Sequence, residues 1–155
     1  MNQYTQILYY IKSLADAEDY VSTVTNSGGL DIDDDKGNIF PIFDIFIDNA
    51  SFPTNNVIRF NITLTCVDLR DTNKQETNVN KFLGNDNEPD NLNETLSALF
   101  RVWGKMNNEF NELGISSGDD PQASPLLGEG KNVYDGWSLP IVVEVPIGVT
   151  LCDGC

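Results

Sequence analysis

One stretch of the sequence constrains the fold more than any other, because its apolar and polar residues alternate without interruption. Within residues 57–69, apolar residues occupy the even positions from Ile58 to Cys66, and polar residues occupy the odd positions from Arg59 to Thr65. Successive side chains of a β-strand point to opposite faces of its sheet. The alternation therefore predicts a strand over residues 57–69 with one buried face and one wet face.

A second strand is predicted over residues 39–47, where large apolar residues occupy both faces. One face carries Ile39, Pro41, Phe43, Ile45 and Ile47, and the other carries Phe40, Ile42, Asp44 and Phe46. A sheet with one wet side needs apolar residues on one face only. Either both faces are covered within the fold, or a neighbouring subunit covers one of them. The link over residues 48–56 predicts a wide hairpin whose tip, near Phe52, protrudes.

Two further segments have strand character. Residues 20–33 combine β-branched residues with a bend at Gly28 and Gly29, which predicts an interrupted strand. Residues 132–145 place Trp137, Leu139, Ile141, Val143 and Val145 on one face. Since Pro140 has no amide proton, this last strand is expected at a sheet edge or with a bulge.

Two helices are predicted from apolar residues at three- and four-residue spacing. The first covers residues 3–19, with Asn2 as its N-cap, and leaves Lys12, Asp16 and Glu18 in solvent. The second begins at a cap on Asp90 or Asn91 and stops at Gly114. Its apolar seam could form a coiled coil or pack on a sheet, and the mixed character of the chain favours the sheet. The seam consists of Leu92, Leu96, Leu99, Trp103, Met106, Phe110 and Leu113, widened by Phe100 and Val102.

Long polar loops are predicted over residues 71–91 and 115–131, beyond the usual length of about 12–15 residues. With them the order of elements is α-β-β-β-α-β. We expect one structural domain over residues 1–155 with an α+β fold, in which two helices pack on a mainly antiparallel sheet.

The balance of charge limits the partners. Asp and Glu total 24 against 9 Lys and Arg, a formal net charge of −15. Affinity for nucleic acid comes largely from Lys and Arg on phosphates, and the few basic residues here are scattered. Specific binding of DNA or of an anionic membrane is therefore not expected. The chain also has no signal-like start and no apolar run of about 20 residues, which predicts a soluble, unsecreted protein.

The inventory of reactive residues predicts a protein that is not an enzyme. Histidine is absent, which removes the usual proton shuttle and every Ser-His or Cys-His nucleophile. Cys66, Cys152 and Cys155 cannot supply four Cys/His ligands for structural zinc. For Cys152 and Cys155 an inert reduced pair, a disulfide and a metal contact shared between subunits all remain open. No catalytic, cofactor-binding or metal-ligating residue is assigned, and no cofactor is expected.

The acidic segment over residues 31–38 is the one pattern that suggests a metal. A calcium-binding EF-hand loop that starts at Asp31 requires Gly at its sixth position and Glu at its twelfth. The chain has Lys36 and Ile42 there, and its Gly37 comes one place late. A solvated acidic turn is favoured over weak calcium binding.

Taken in order, several segments give the chain a resemblance to small structural proteins of phages that infect Bacteroidota, crAss-like phages included. After the opening amphipathic helix and the acidic turn, these are residues 39–43 (Ile-Phe-Pro-Ile-Phe), 59–64 (Arg-Phe-Asn-Ile-Thr-Leu), 67–71 (Val-Asp-Leu-Arg-Asp), 76–80 (Glu-Thr-Asn-Val-Asn) and 134–146, which opens Tyr-Asp-Gly-Trp. In layout the chain is similar to tail-terminator and tail-completion subunits. The Cys-x-x-Cys ending and the length of the 115–131 loop depart from the pattern.

The resemblance implies a virion structural protein that assembles in the host cytoplasm into a sixfold or twelvefold ring of identical subunits. Such a ring in the neck or tail would contact adjacent neck, portal or tail proteins. Genomic DNA would pass through its lumen without specific binding, and acidic residues facing the lumen would keep the DNA from sticking. The alternative is a non-viral β-rich binding or adaptor module with weak calcium binding.

Overall fold

The computed structural model describes residues 3–26, 40–70, 88–113, 116–117, 120–129 and 133–148. In these residues, two helices cover one face of a six-stranded sheet. The elements are α1 (Gln3–Asp16), β1 (Thr23–Thr25), β2 (Ile42–Thr54), β3 (Val57–Leu69), α2 (Glu88–Leu113), β4 (Ser116–Ser117), β5 (Ser124–Glu129) and β6 (Tyr134–Pro146).

The sheet is mixed. Its order is β1-β2-β3-β6-β4, and β5 also pairs with β6. The β1–β2 pair is parallel, with Thr23 opposite Ile42, whereas every other pair among the described strands is antiparallel. The predicted α+β class and mainly antiparallel sheet are thus confirmed, and the parallel edge strand was not foreseen.

The strand predicted over residues 57–69 is β3, with the same bounds. Its even positions from Phe60 to Cys66 are buried in the main core, and its partner β6 contributes Leu139, Ile141, Val143 and Val145 to the same core. The register between β3 and β6 is continuous from Val57 opposite Pro146 to Leu69 opposite Tyr134. These two strands form the centre of the sheet.

Both apolar faces of strand β2 are covered mostly by residues of the same chain. Phe43 and Ile45 enter the main core, while Ile42 joins Val67 in a second, small cluster on the other face. Phe40, Leu126 and Tyr134 pack against that second cluster. Phe46 is partly exposed, and Ile39 lies outside the described residues. No neighbouring subunit is needed to cover Ile42.

The link between β2 and β3 is shorter than predicted. Strand β2 continues to Thr54, and a turn at Asn55 and Asn56 leads directly into β3. The prediction of a wide hairpin over residues 48–56 was therefore wrong. Two register shifts accommodate the irregular polar positions while the pairing of β2 with β3 continues. Phe52 protrudes as predicted, with 77% of its surface exposed.

The prediction that Pro140 marks a sheet edge or a bulge is correct only locally: the second side of β6 has no strand partner at Pro140 among the described residues, and no bulge forms there. Strand β6 lies inside the sheet, and its register with β3 shows no shift at Pro140. On its other side, β5 pairs near residues 134–138 and β4 pairs with Val143 and Glu144. Pro140 lies between these two pairings, so its missing amide proton costs no hydrogen bond to either strand.

The loop predicted over residues 115–131 contains both β4 and β5, which its polar composition did not indicate. Short strands form there because the second edge of β6 offers unpaired backbone groups. Of the loop predicted over residues 71–91, residues 71–87 lie outside the described residues, and the rest belongs to α2.

Both helices depart from the sequence prediction at their ends. Helix α1 stops at Asp16, not at residue 19, and Glu18 is only 6% exposed although it was predicted to lie in solvent. Helix α2 begins at Glu88, so neither Asp90 nor Asn91 is its cap. The Asn91 side chain donates instead to the Leu69 carbonyl at 2.9 Å. Asn2 and Gly114 lie outside the described residues.

Helix α2 packs on the sheet, as predicted, through Leu99, Val102, Met106 and Phe110, all of which are buried. The predicted apolar seam is correct only for the residues that face the sheet. Thr95 and Ala98 are buried between its members, whereas Leu96 and Phe100 are exposed by 39% and 69%. The buried stripe is therefore rotated away from Leu96 and Phe100, which leaves an apolar side of the helix uncovered.

We expect Gly136→Ala to destabilise the fold by about 3 kcal/mol or more, the upper end for an overpacked core. A Cβ at Gly136 would lie 1.9 Å from the Cys66 carbonyl oxygen and 2.8 Å from Cα of Val67, and this backbone cannot yield as a side chain could. Urea denaturation measures the effect.

Gly104→Ala is the matched control, since nothing lies within 4 Å of a Cβ at that helical position. It should stabilise the chain by about 0.5–1 kcal/mol. Equal effects of the two substitutions would contradict the close approach at Gly136.

Candidate functional site

A buried ion-pair cluster joins four elements at one end of the sheet. The Asp135 carboxylate, whose side chain is fully buried, accepts hydrogen bonds from Arg70 at 2.6 and 3.0 Å. It also accepts one from the Gly128 amide at 2.7 Å, and Arg70 forms a second ion pair with Glu88. The cluster fastens the end of β3 to β5, β6 and the start of α2. The charged groups of this cluster form ion pairs with one another, and these pairs stabilise the fold.

A second ion-pair cluster joins the two helices. Glu18, just after α1, accepts from Arg101 at 2.7 Å and from Lys105 at 3.3 Å on α2. Burial acts to raise the pKa of Glu18, but the hydrogen bonds and charges of Arg101 and Lys105 outweigh it and lower that pKa below its ordinary value. Two of the chain's few cations are thus directed to one buried carboxylate.

Tyr10, Tyr20 and Cys66 are held in their neutral forms, because the pKa of each is raised. Burial, followed by a hydrogen bond to Asp68 at 2.8 Å, raises the pKa of Tyr20, and burial with a hydrogen bond to Glu109 does the same for Tyr10. Burial also raises the pKa of the Cys66 thiol, helped by the charge of Asp68. A thiol held protonated is a poor nucleophile, so Cys66 serves as a small apolar core residue.

The residues for which the sequence left chemical alternatives open, Cys152, Cys155 and the acidic segment over residues 31–38, lie outside the described residues. In the part of the chain that the structure describes, no three side chains of His, Cys, Asp or Glu come together as a metal site would require.

An apolar groove, here called the α2 groove, opens beside the uncovered side of α2. Its volume is about 240 Å³. Leu96, Phe100 and Trp103 form the helical wall, and Pro121 and Ala123 form the opposite wall. Leu99 and Leu139 also line it, and Asp120 is its charged lining residue. The indole N–H of Trp103 finds no acceptor among the described residues.

The α2 side that borders this groove carries no charge. Its positions are Asn93, Leu96, Ser97, Phe100, Trp103, Gly104 and Asn107. Three charged residues of α2 contact α1 or the residues just after it: Arg101 and Lys105 contact Glu18, and Glu109 contacts Tyr10. Arg101 also lines a depression with Leu96, Ser97 and Phe100. Surfaces rich in aromatic residues and depleted in charge are typical of protein interfaces.

A second exposed apolar surface is the hairpin between β2 and β3. We call residues 51–56 the arm tip; it consists of Ser51, Phe52, Pro53, Thr54, Asn55 and Asn56. Strand β6 supports the hairpin, since the Ile147 amide donates to the Asn56 carbonyl at 2.7 Å and Arg59 on β3 pairs with Glu144 on β6 at 2.5 Å. The tip is thus a supported projection that presents Phe52 to solvent.

Sequence reasoning found one of these two surfaces. It predicted that Phe52 protrudes, but it assigned Leu96 and Phe100 to the buried seam of α2. A projection of residues 93–107 around a helix would have shown the signal, since the charged side chains of this stretch all fall outside the Leu96–Phe100–Trp103 side.

No protein-family model matches the chain, and no curated protein is similar enough to count as a match. Neither helix in the described residues is long and apolar enough to cross a membrane.

The ion-pair cluster around Asp135 predicts a large loss of stability on Asp135→Asn, about 3 kcal/mol, because Arg70 would lose its fully buried counter-charge. Urea denaturation of the purified chain measures it. Asp16→Asn, which breaks an exposed pair with Lys12, is the control and should cost less than about 0.5 kcal/mol. Similar losses in both variants would contradict a structural role for the cluster.

The lowered pKa of Glu18 predicts a specific pH dependence. A carboxylate with a lowered folded-state pKa adds stability above its unfolded value, near 4.5, and this stability is lost as pH falls through the folded value. Wild type should therefore exceed Glu18→Gln in free energy of unfolding at neutral pH, and the difference should shrink below about pH 4.5. Urea titrations at several pH values test this; a difference that grows toward acid would contradict it.

Proposed function

We propose that the chain is a virion structural protein, a ring-forming subunit of the neck or tail-completion region that joins portal or head to tail. The observation that carries the proposal is the exposure of Phe52 on the arm tip and of Phe100 beside the α2 groove, the two most exposed large apolar side chains among the described residues. An exposed apolar groove is a common site of protein–protein contact. Two separate apolar surfaces on one chain suit a subunit with a neighbour on each side.

The polar groups of the described residues support the same proposal. The buried Glu18 and Asp135 carboxylates both bind cations of the chain itself. These clusters fasten elements together, and their charged groups do not converge on a cleft where a substrate would react. The exposed apolar side chains fit a role in assembly, without catalysis.

The acidity of the chain fits the proposed position around DNA. A net charge of −15 on each copy repels phosphates, so a ring of such subunits would let genomic DNA pass without binding it. The proposed ring is sixfold or twelvefold, and its other partners are adjacent neck, portal or tail proteins. Contact with a membrane is not part of the proposal.

Two experiments test the proposed function. Tagged chain should locate to the neck or tail of intact phage particles by electron microscopy, and purified chain should sediment as a closed oligomer whose mass is a sixfold or twelvefold multiple of 17.2 kDa. A chain absent from particles, and monomeric at its highest soluble concentration, would contradict the proposal. Stoichiometric calcium binding in a calorimetric titration would instead favour the adaptor alternative.

A further inference from the structure

We infer that the arm tip of one copy docks in the α2 groove of the next copy, with Phe52 as the inserted side chain. This inference rests on the proposed function and specifies the contact that would close the ring. Phe52 is 77% exposed on a supported projection, and the groove is an open apolar site of about 240 Å³. Among the described residues, Phe52 has no apolar site that buries it, and the groove has no side chain that fills it.

The arm tip cannot fill the groove of its own chain. The groove is lined by Leu139, while the tip lies at the other end of the same strand pair, where Val57 is opposite Pro146. Seven residues of β6 separate Leu139 from Pro146, which at about 3.3 Å per residue is roughly 23 Å. An arm tip that occupies such a groove therefore belongs to a second chain.

The groove is large enough for the side chain. An apolar cavity of about 150 Å³ accommodates a benzene molecule, so the α2 groove has room for the phenyl ring of Phe52 and part of the neighbouring Pro53. The groove walls are apolar or aromatic, from Leu96 and Phe100 on one side and Pro121 on the other. An aromatic side chain that enters such a site gains the burial free energy of a core residue.

Charge repulsion limits where two copies of this chain can meet. Two copies that each carry −15 repel one another over most of their surfaces. The arm tip contains no charged residue, and the α2 residues that line the groove, Leu96, Leu99, Phe100 and Trp103, are uncharged. Arg101 lies next to Leu96 and Phe100, outside the groove itself. Asp120 is the charged group of the groove, and the uncharged tip brings no second carboxylate to it. These surfaces allow the two chains to approach with little repulsion.

The geometry of the contact is head-to-tail. A contact between two different surfaces of the same chain is heterologous, and repeated around an axis it closes into a ring when the rotation allows. A twofold dimer would instead require one patch to contact its own copy. The inferred contact therefore produces the kind of symmetry that the proposed function needs.

The first test replaces the inserted side chain and the groove wall separately. Phe52→Ser and Leu96→Glu each alter an exposed residue, so both should keep the wild-type urea midpoint while association weakens at least about tenfold. Tyr4→Ser, which removes an exposed aromatic of α1 that is part of neither the arm tip nor the groove lining, is the control and should assemble as wild type does. Sedimentation velocity measures the assembly.

The decisive test mixes the two defective chains. Phe52→Ser keeps an intact groove and Leu96→Glu keeps an intact tip, so a mixture can form one contact only and should yield a 1:1 dimer that does not grow. Each variant alone should be monomeric. Assembly of either variant alone at wild-type affinity, or a mixture that gives no dimer, would overturn the inferred contact.

If the wild-type chain is monomeric in solution, a benzophenone side chain at position 52 tests the contact in assembled particles. Crosslinks between copies should fall on residues 96–103 or 120–123. Crosslinks between copies at other residues would overturn the docking and leave the ring intact, whereas a chain absent from particles would overturn the proposed function as well.

Discussion

The continuous pairing of β3 with β6 is the constraint on which the rest of the structure depends. These strands lie far apart in sequence, and together they supply the greater part of the apolar surface that the helices cover. The Arg70–Asp135–Glu88 cluster stands at one end of this pair, where β3 leaves the sheet and α2 begins. A slip of one residue between the strands would move every core side chain to the wrong face and separate Arg70 from Asp135.

Sequence patterns predicted the elements that bury one face and missed those that depend on distant partners. The alternation from Ile58 to Cys66 fixed β3 to the residue because its period is set by the backbone alone. Strands β4 and β5 have no such pattern, since they form only because β6 offers an open edge. Glu18 was predicted to be exposed because nothing local reveals that Arg101 and Lys105 face it. The two exposed surfaces differ in the same way. The exposure of Phe52 was predicted from the link between two strands, whereas the groove depends on how α2 is rotated on the sheet, which its apolar spacing did not indicate.

The strongly acidic composition has an effect on the described structure that the net charge alone does not convey. The described cations lie beside carboxylates: Arg70, Arg101 and Lys105 bind buried ones, while Lys12 and Arg59 bind more exposed ones. Cations are thus placed where burial would otherwise make a negative charge costly. The remaining exposed carboxylates would repel a second copy of the chain. This repulsion is weakest at the uncharged side of α2 and at the arm tip.

The turn at Asn55 and Asn56 also bears on the order in which the chain folds. A hairpin with so short a turn closes from local sequence within microseconds, before a ribosome has added the next residue. The groove, by contrast, needs Leu139 of β6 beside α2, and so it cannot exist until the final strand has been synthesised. If the inferred contact is correct, a chain truncated before β6 would lack both the groove and the strand that supports the protruding hairpin, so it could neither receive an arm tip nor present its own firmly.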